Sequence, residues 1–122
     1  MSVFSQILLV EDDAFLSTFM KMVLEEEGYT VAVAGNGQEA LDILSNVGLP
    51  DLIMFDIKMP VMDGKEFASA FRRLYNGVRP LVVMTAADDA EKRAQELGVT
   101  TCLAKPFGIP ELIATVKEQL RA

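Results

Sequence analysis

The 122 residues suit one domain, and with 51% of them apolar the chain can build a substantial core without disulfides or a structural metal. A count of 18 acidic residues against 11 basic ones leaves a formal charge of -7, which opposes direct nucleic-acid binding and attraction to an anionic membrane, and favours a basic partner surface or a cation. The lone cysteine, Cys102, excludes an internal disulfide, no stretch approaches the roughly 20 apolar residues of a membrane span, and Met1-Ser2-Val3-Phe4-Ser5 lacks the basic start of a signal peptide, so a soluble cytoplasmic protein is expected.

In chain order, a β-favouring run at Ile7 to Val10 comes first. A helix over Asp13 to Glu27 follows, with Phe15, Leu16, Phe19, Met20, Val23 and Leu24 as its buried stripe and Gly28 as a left-handed stop. The run Val31 to Val33 leads to Gly35-Asn36-Gly37 and a second helix carrying Ala40, Leu41 and Leu44. Leu52 to Phe55 is a third strand, and the helix after Asp63-Gly64 carries Phe67, Phe71 and Leu74, with Arg72-Arg73 on a solvated face. Leu81 to Met84 is a fourth strand. Asp88 to Leu97 is a weak helix with only Ala90, Ala94 and Leu97 to bury, and Thr101 to Ala104 is a short fifth strand. The last helix begins near Pro110 and presents Leu112, Ile113, Val116 and Leu120 on one side. Strands that are apolar throughout, alternating with helices, predict an α/β class, doubly wound, with a five-stranded parallel sheet covered by five helices. No repeat or linker divides the chain, so residues 1–122 read as a single domain.

Ligand sites of doubly wound sheets lie at the carboxyl ends of the strands. Here the first run ends in Glu11-Asp12-Asp13, the third in Asp56, the fourth in Thr85 and the fifth in Lys105-Pro106. Carboxylates gathered there repel unless a cation compensates, and oxygen donors with no histidine or nearby thiolate favour magnesium or manganese, with magnesium preferred. Magnesium usually completes its shell with water and phosphate, which implies a phosphate-bearing substrate. Asp13 reads as a helix cap and Asp63, before Gly64, as a turn residue without chemistry.

The segments Ile7-Leu8-Leu9-Val10-Glu11-Asp12-Asp13, Asp56-Ile57-Lys58-Met59-Pro60-Val61-Met62-Asp63-Gly64, Thr85-Ala86 and Lys105-Pro106-Phe107 together resemble the receiver domains of response regulators, over nearly the whole chain. That resemblance implies the flavodoxin-like strand order 2-1-3-4-5. It makes Asp56 the nucleophile that takes a phosphoryl group from phosphohistidine, with Lys105 offsetting charge on its oxygens and Thr85 sensing the product. It makes Asp12 and Asp56 direct magnesium ligands, with the Lys58 carbonyl as a third and Glu11 acting through water. A cis bond at Lys105-Pro106 would help aim the lysine. The implied partners are a histidine kinase or histidine phosphotransfer protein and a downstream protein target. The protein is then a signalling receiver rather than an enzyme with turnover, catalysing only its own phosphorylation and slow dephosphorylation.

Two departures bear on output. The place of an aromatic residue that rotates with the threonine in the family is here Cys102, read as packing, and the stretch from Thr85 to Lys105 is shorter than usual by about half a helical turn. Both fall on the face used for targets and for phosphorylation-dependent homodimers, while Lys58 and Ala87 stand where the family tunes phosphoryl lifetime. A stand-alone receiver is expected, with a receiver cut from a longer regulator as the alternative. An aspartate-nucleophile phosphatase would place a second acid where Lys58 stands and would need a cap region. Glu11-Asp12-Asp13 would repel a flavin phosphate, and the intact acid, threonine and lysine set argues against an adaptor that has lost phosphorylation.

Overall fold

A computed structural model describes residues 6–76, 79–86, 90–99 and 101–120. The strands β1 (Ile7–Val10), β2 (Val31–Ala34), β3 (Leu52–Asp56), β4 (Leu81–Ala86) and β5 (Thr101–Lys105) form one parallel sheet in the order β2-β1-β3-β4-β5. Between and after them run α1 (Ala14–Glu26), α2 (Gly37–Asn46), α3 (Gly64–Tyr75), α4 (Ala90–Leu97) and α5 (Ile109–Leu120). The architecture and strand order are those expected from the sequence.

The central strands lack a polar face because both of their faces are covered. Alternate residues divide between two cores. Ile7, Leu9, Leu52, Met54, Val82, Met84 and Leu103 pack with Met20 and Leu24 of α1 and with Leu112 and Val116 of α5. Leu8, Val10, Ile53, Phe55 and Val83 pack with α2, with Phe67 and Phe71 of α3, and with Ala94 and Leu97 of α4. On that side Phe55, Phe67, Phe71 and Tyr75 contact in succession, with ring centroids 5.5, 6.1 and 5.4 Å apart.

Three sequence expectations are corrected. Phe15 and Phe19 are 88% and 41% exposed rather than buried, because the inner line of α1 runs through Ser17, Met20 and Leu24. Phe15 lies about 200° around the helix from Ser17. Leu74 is likewise exposed, since Phe67 and Phe71 are followed at four-residue spacing by Tyr75, which takes the inward place. Arg72 is half-buried and donates to the carbonyl of Leu97 at the end of α4, so it ties α3 to α4 and is not a solvated charge. Asp88, Asp89 and Ala87 lie outside the described residues.

Chain reversals follow local chemistry. Asp13 caps α1 by accepting from the N–H groups of Phe15 and Leu16, and Gly28, at φ 97°, ends it. Asp63, expected in a turn, caps α3 in a capping box with Glu66. Gly64 opens α3 directly against the end of β3: a Cβ there would lie 2.3 Å from the carbonyl oxygen of Asp56 and 2.7 Å from Cα of Ile57. Gly64→Ala should therefore force the backbone apart at Asp56 and lower the unfolding free energy by about 1–3 kcal/mol in urea titrations. A variant as stable as the parent would show that this close approach is not required.

Candidate functional site

The polar residues at the sheet's carboxyl edge belong to the strands more than to the loops after them. Asp56 is the last residue of β3, Lys105 the last of β5, and Thr85 the penultimate residue of β4. Strand alternation fixes their direction. Glu11 continues the series Ile7, Leu9; Asp56 continues Leu52, Met54; and Lys105 continues Leu103, so all three have the parity of the α1 and α5 side. Thr85 has the parity of Val83 and the opposite core.

Lys105 Nζ donates to Glu11 Oε1 at 2.8 Å and to Asp56 Oδ2 at 2.5 Å. The second oxygen of Glu11 accepts from the Asp13 N–H at 3.0 Å, and Asp56 Oδ1 accepts from the Lys58 N–H at 3.2 Å. Glu11, Asp56 and Thr85 are buried, Lys105 is half-buried, and Asp12 is exposed. The Lys105-Pro106 bond is cis.

The two ends of the ion pair respond differently to burial. Desolvation raises the Glu11 carboxyl above its ordinary 4.5, and the hydrogen bond from Lys105 does not fully offset it. Burial alone would lower the Lys105 ammonium, but its bonds to Asp56 and Glu11 together hold it above its ordinary 10.5. One cation serves two acids, so the lysine gains more from the arrangement than Glu11 does.

Carboxylate oxygens of Glu11, Asp12 and Asp56 all lie within 4.8 Å of one another. That oxygen-only donor set, with an exposed member at Asp12, suits a hard divalent cation. Thus the structure brings together Glu11, Asp12, Asp56 and Lys105, places Lys58 beside Asp56, and sets Thr85 on the wall of the same cavity.

That cavity, about 580 Å³, is lined by Asp56, Lys58, Thr85 and Lys105 together with Leu16, Phe19, Ala86, Arg93, Pro106 and Phe107. A neighbouring cavity of about 540 Å³ is lined by Asp12, Ile57, Lys58, Met59, Pro60, Asp63 and Arg93. Sequence reasoning gave no site role to Arg93 or to the apolar wall from α1.

A family model described as the response regulator receiver domain matches residues 7–117. The chain is 38% identical over 115 residues to the transcriptional regulatory protein PdtaR of Mycobacterium tuberculosis, covering 92% of this chain and 55% of that protein. It is 36% identical to sporulation initiation phosphotransferase F of Bacillus subtilis, covering 94% of this chain and 93% of that one. Among solved structures, the chemotaxis response regulator CheY4 of Vibrio cholerae superposes with a TM-score of 0.86 at 30% identity, over 97% of this chain and 100% of the other. Several of the curated relatives, PdtaR among them, are about twice as long as the segment they share with this chain.

The raised groups give a pH signature. A raised Glu11 contributes stability that is full below 4.5 and lost as pH rises through its folded value, and a raised Lys105 contributes stability that is full below 10.5 and lost above it. The stability of the unaltered protein relative to Glu11→Gln should therefore fall as pH rises above 4.5, and relative to Lys105→Gln should fall above pH 10.5. Urea unfolding across those ranges checks both, and pH-independent differences would contradict them.

Proposed function

Because the chain belongs to the response regulator receiver domain family of two-component signalling, we propose that Asp56 accepts a phosphoryl group from phosphohistidine and that the resulting charge switches a protein-binding surface. The observation that carries this reading is Lys105 Nζ at 2.5 Å from Asp56 Oδ2, on a lysine that already spans to Glu11.

In the step, a carboxylate oxygen of Asp56 bonds to phosphorus while the P–N bond breaks and its electron pair stays with the imidazole nitrogen. Lys105 exchanges no proton; its ammonium passes from Asp56 Oδ2 to an equatorial phosphoryl oxygen, where charge gathers. The Lys58 N–H, already 3.2 Å from Asp56 Oδ1, helps fix the carboxylate plane. Glu11, Asp12 and Asp56 would hold magnesium, with the Lys58 carbonyl as the further ligand that the family resemblance implies. Magnesium supplies charge neutralisation between the acids and the incoming phosphoryl group. Thr85, buried on the same cavity wall, offers its hydroxyl to the phosphoryl oxygens.

The donor is a histidine kinase or a histidine phosphotransfer protein. It would meet an apolar surface: Phe15, Phe19 and Met22 are exposed along one side of α1, and Phe19 also lines the cavity that holds Asp56. Exposed aromatics beside a reactive group suit the docking of a partner's apolar helix face.

Incubation with acetyl phosphate and magnesium should add one phosphoryl group by intact mass, and Asp56→Asn or chelation of the metal should abolish the addition. An equal gain by Asp56→Asn would sink the assignment. Phe15→Ala should leave labelling by acetyl phosphate unchanged but slow transfer from a phosphohistidine protein by about tenfold, the size of a moderate interface hot spot. Equal slowing with both donors would place the effect in the chemistry and not in docking.

A further inference from the structure

The cap of α2 leaves one donor over. Asn36 accepts from the Glu39 N–H at 2.9 Å, and Glu39 accepts from the Gly35 N–H at 3.0 Å, so the cap closes around Gly37 without using its N–H. A helix start leaves such donors without an intrahelical partner. Gly37 gives its own to the Met62 carbonyl, 3.0 Å away in the loop that runs from Asp56 to α3. The contact is crowded as well as bonded. Gly37 is buried, and a Cβ there would lie 2.8 Å from Cγ of Met62 and 2.9 Å from its carbonyl oxygen.

Along 57–63 the side chains first alternate. Ile57 and Met59 are half-buried against the core on the α2 and α3 side, and Lys58 and Pro60 are exposed. Val61, also exposed, breaks the alternation before Met62 returns to the core. It does so at φ 67°, in a tight turn closed by the Met62 N–H on the Pro60 carbonyl at 2.7 Å. A β-branched residue is strained in that region, and such a conformation persists where the surroundings hold it. The loop is held at both ends: the Gly64 N–H donates to the Ile57 carbonyl at 2.8 Å, and Gly37 holds Met62. Between these fixed points lie Lys58, Met59 and Pro60, which help to wall the cavity beside Asp12.

We infer that Gly37 is a positioning residue for the acids that hold the cation. Its N–H and its lack of a side chain fix the loop 57–63, and with it the space beside Asp12 in which a divalent cation is bound. A side chain at position 37 would push Met62 away while Gly64 keeps Ile57 in place, so the displacement falls on the residues facing Asp12. The inference rests on the proposed binding of magnesium by Glu11, Asp12 and Asp56.

The test measures magnesium affinity by calorimetry, together with labelling by acetyl phosphate at low and at saturating magnesium. Gly37→Ala should weaken magnesium binding about tenfold, the lower end of what changes behind a metal's ligands cost. Its slowed labelling at low magnesium should recover at saturation. Met62→Ala, which adds nothing to the crowded space and guards against a misfolded Gly37 variant, should weaken magnesium in the same direction. Asn36→Ala removes the cap of α2 without touching Met62, and should lower stability while keeping magnesium affinity within about twofold. Magnesium affinity within about twofold of the unaltered protein in both Gly37→Ala and Met62→Ala would overturn the inference, as would that result in Met62→Ala alone if Gly37→Ala does not fold. Equal weakening by Asn36→Ala, or slowed labelling that excess magnesium does not relieve, would also overturn it, since either marks a general loosening of α2. Failure of the unaltered protein to bind magnesium would overturn the reading of the cation site, and this inference with it.

Discussion

One ammonium group, Nζ of Lys105, lies between carboxylates delivered by two other strands, and the polar edge of the sheet is arranged around it. Glu11 and Asp56 are 2% and 8% exposed, too little for water to screen their mutual repulsion as it does between surface acids. The lysine sits on β5, with β4 between it and β3. Adjacent strands are about 4.8 Å apart, so only a long side chain reaches across β4 to the acids. The shift directions record the compromise: the lysine is stabilised in its charged form, whereas Glu11 still carries the cost of burial.

Such a cluster holds its geometry because its members are fixed by the sheet. Asp56 and Lys105 close their strands, and Glu11 follows β1 with its N–H bonded to the Ala34 carbonyl at 2.9 Å. Beneath Asp56, Gly64 lets α3 approach the end of β3, and the aromatic series from Phe55 to Tyr75 fastens that helix to the sheet. Rigidity is thus concentrated where the acids must be placed accurately. α4 buries Ala90, Ala94 and Leu97, and Arg72 ties its end to α3 by donating to the Leu97 carbonyl.

Much of this was legible in the sequence. Strands buried on both faces announced themselves as unbroken apolar runs, and the acids and lysine after those runs marked the site edge. The runs nevertheless stopped short of Asp56, Thr85 and Lys105, because hydropathy registers side chains and not ladder hydrogen bonds, which continue to those residues. In α1 and α3 the sequence overcounted the core. Phe15, Phe19 and Leu74 are apolar at near-helical spacing, but a three- or four-residue step selects one line, and Met20, Leu24 and Tyr75 occupy it. Asp63 looked like a turn because a cap and a turn share the same residue preferences. Arg72 was silent for a different reason: its role depends on a contact between α3 and the end of α4, which no local pattern encodes.

The relatives divide between proteins about twice the length of the matched segment and others, such as sporulation initiation phosphotransferase F, that it spans almost fully. The cluster of Glu11, Asp12, Asp56 and Lys105 lies within the matched segment, which is compatible with either arrangement. The decisive measurement is localisation of the acyl phosphate by borohydride reduction, which converts a phosphorylated aspartate to homoserine, followed by peptide mass spectrometry. Homoserine at position 56 is the expected product, and homoserine at Asp12, Asp13 or Asp63 instead would contradict the assignment of Asp56 as the acceptor.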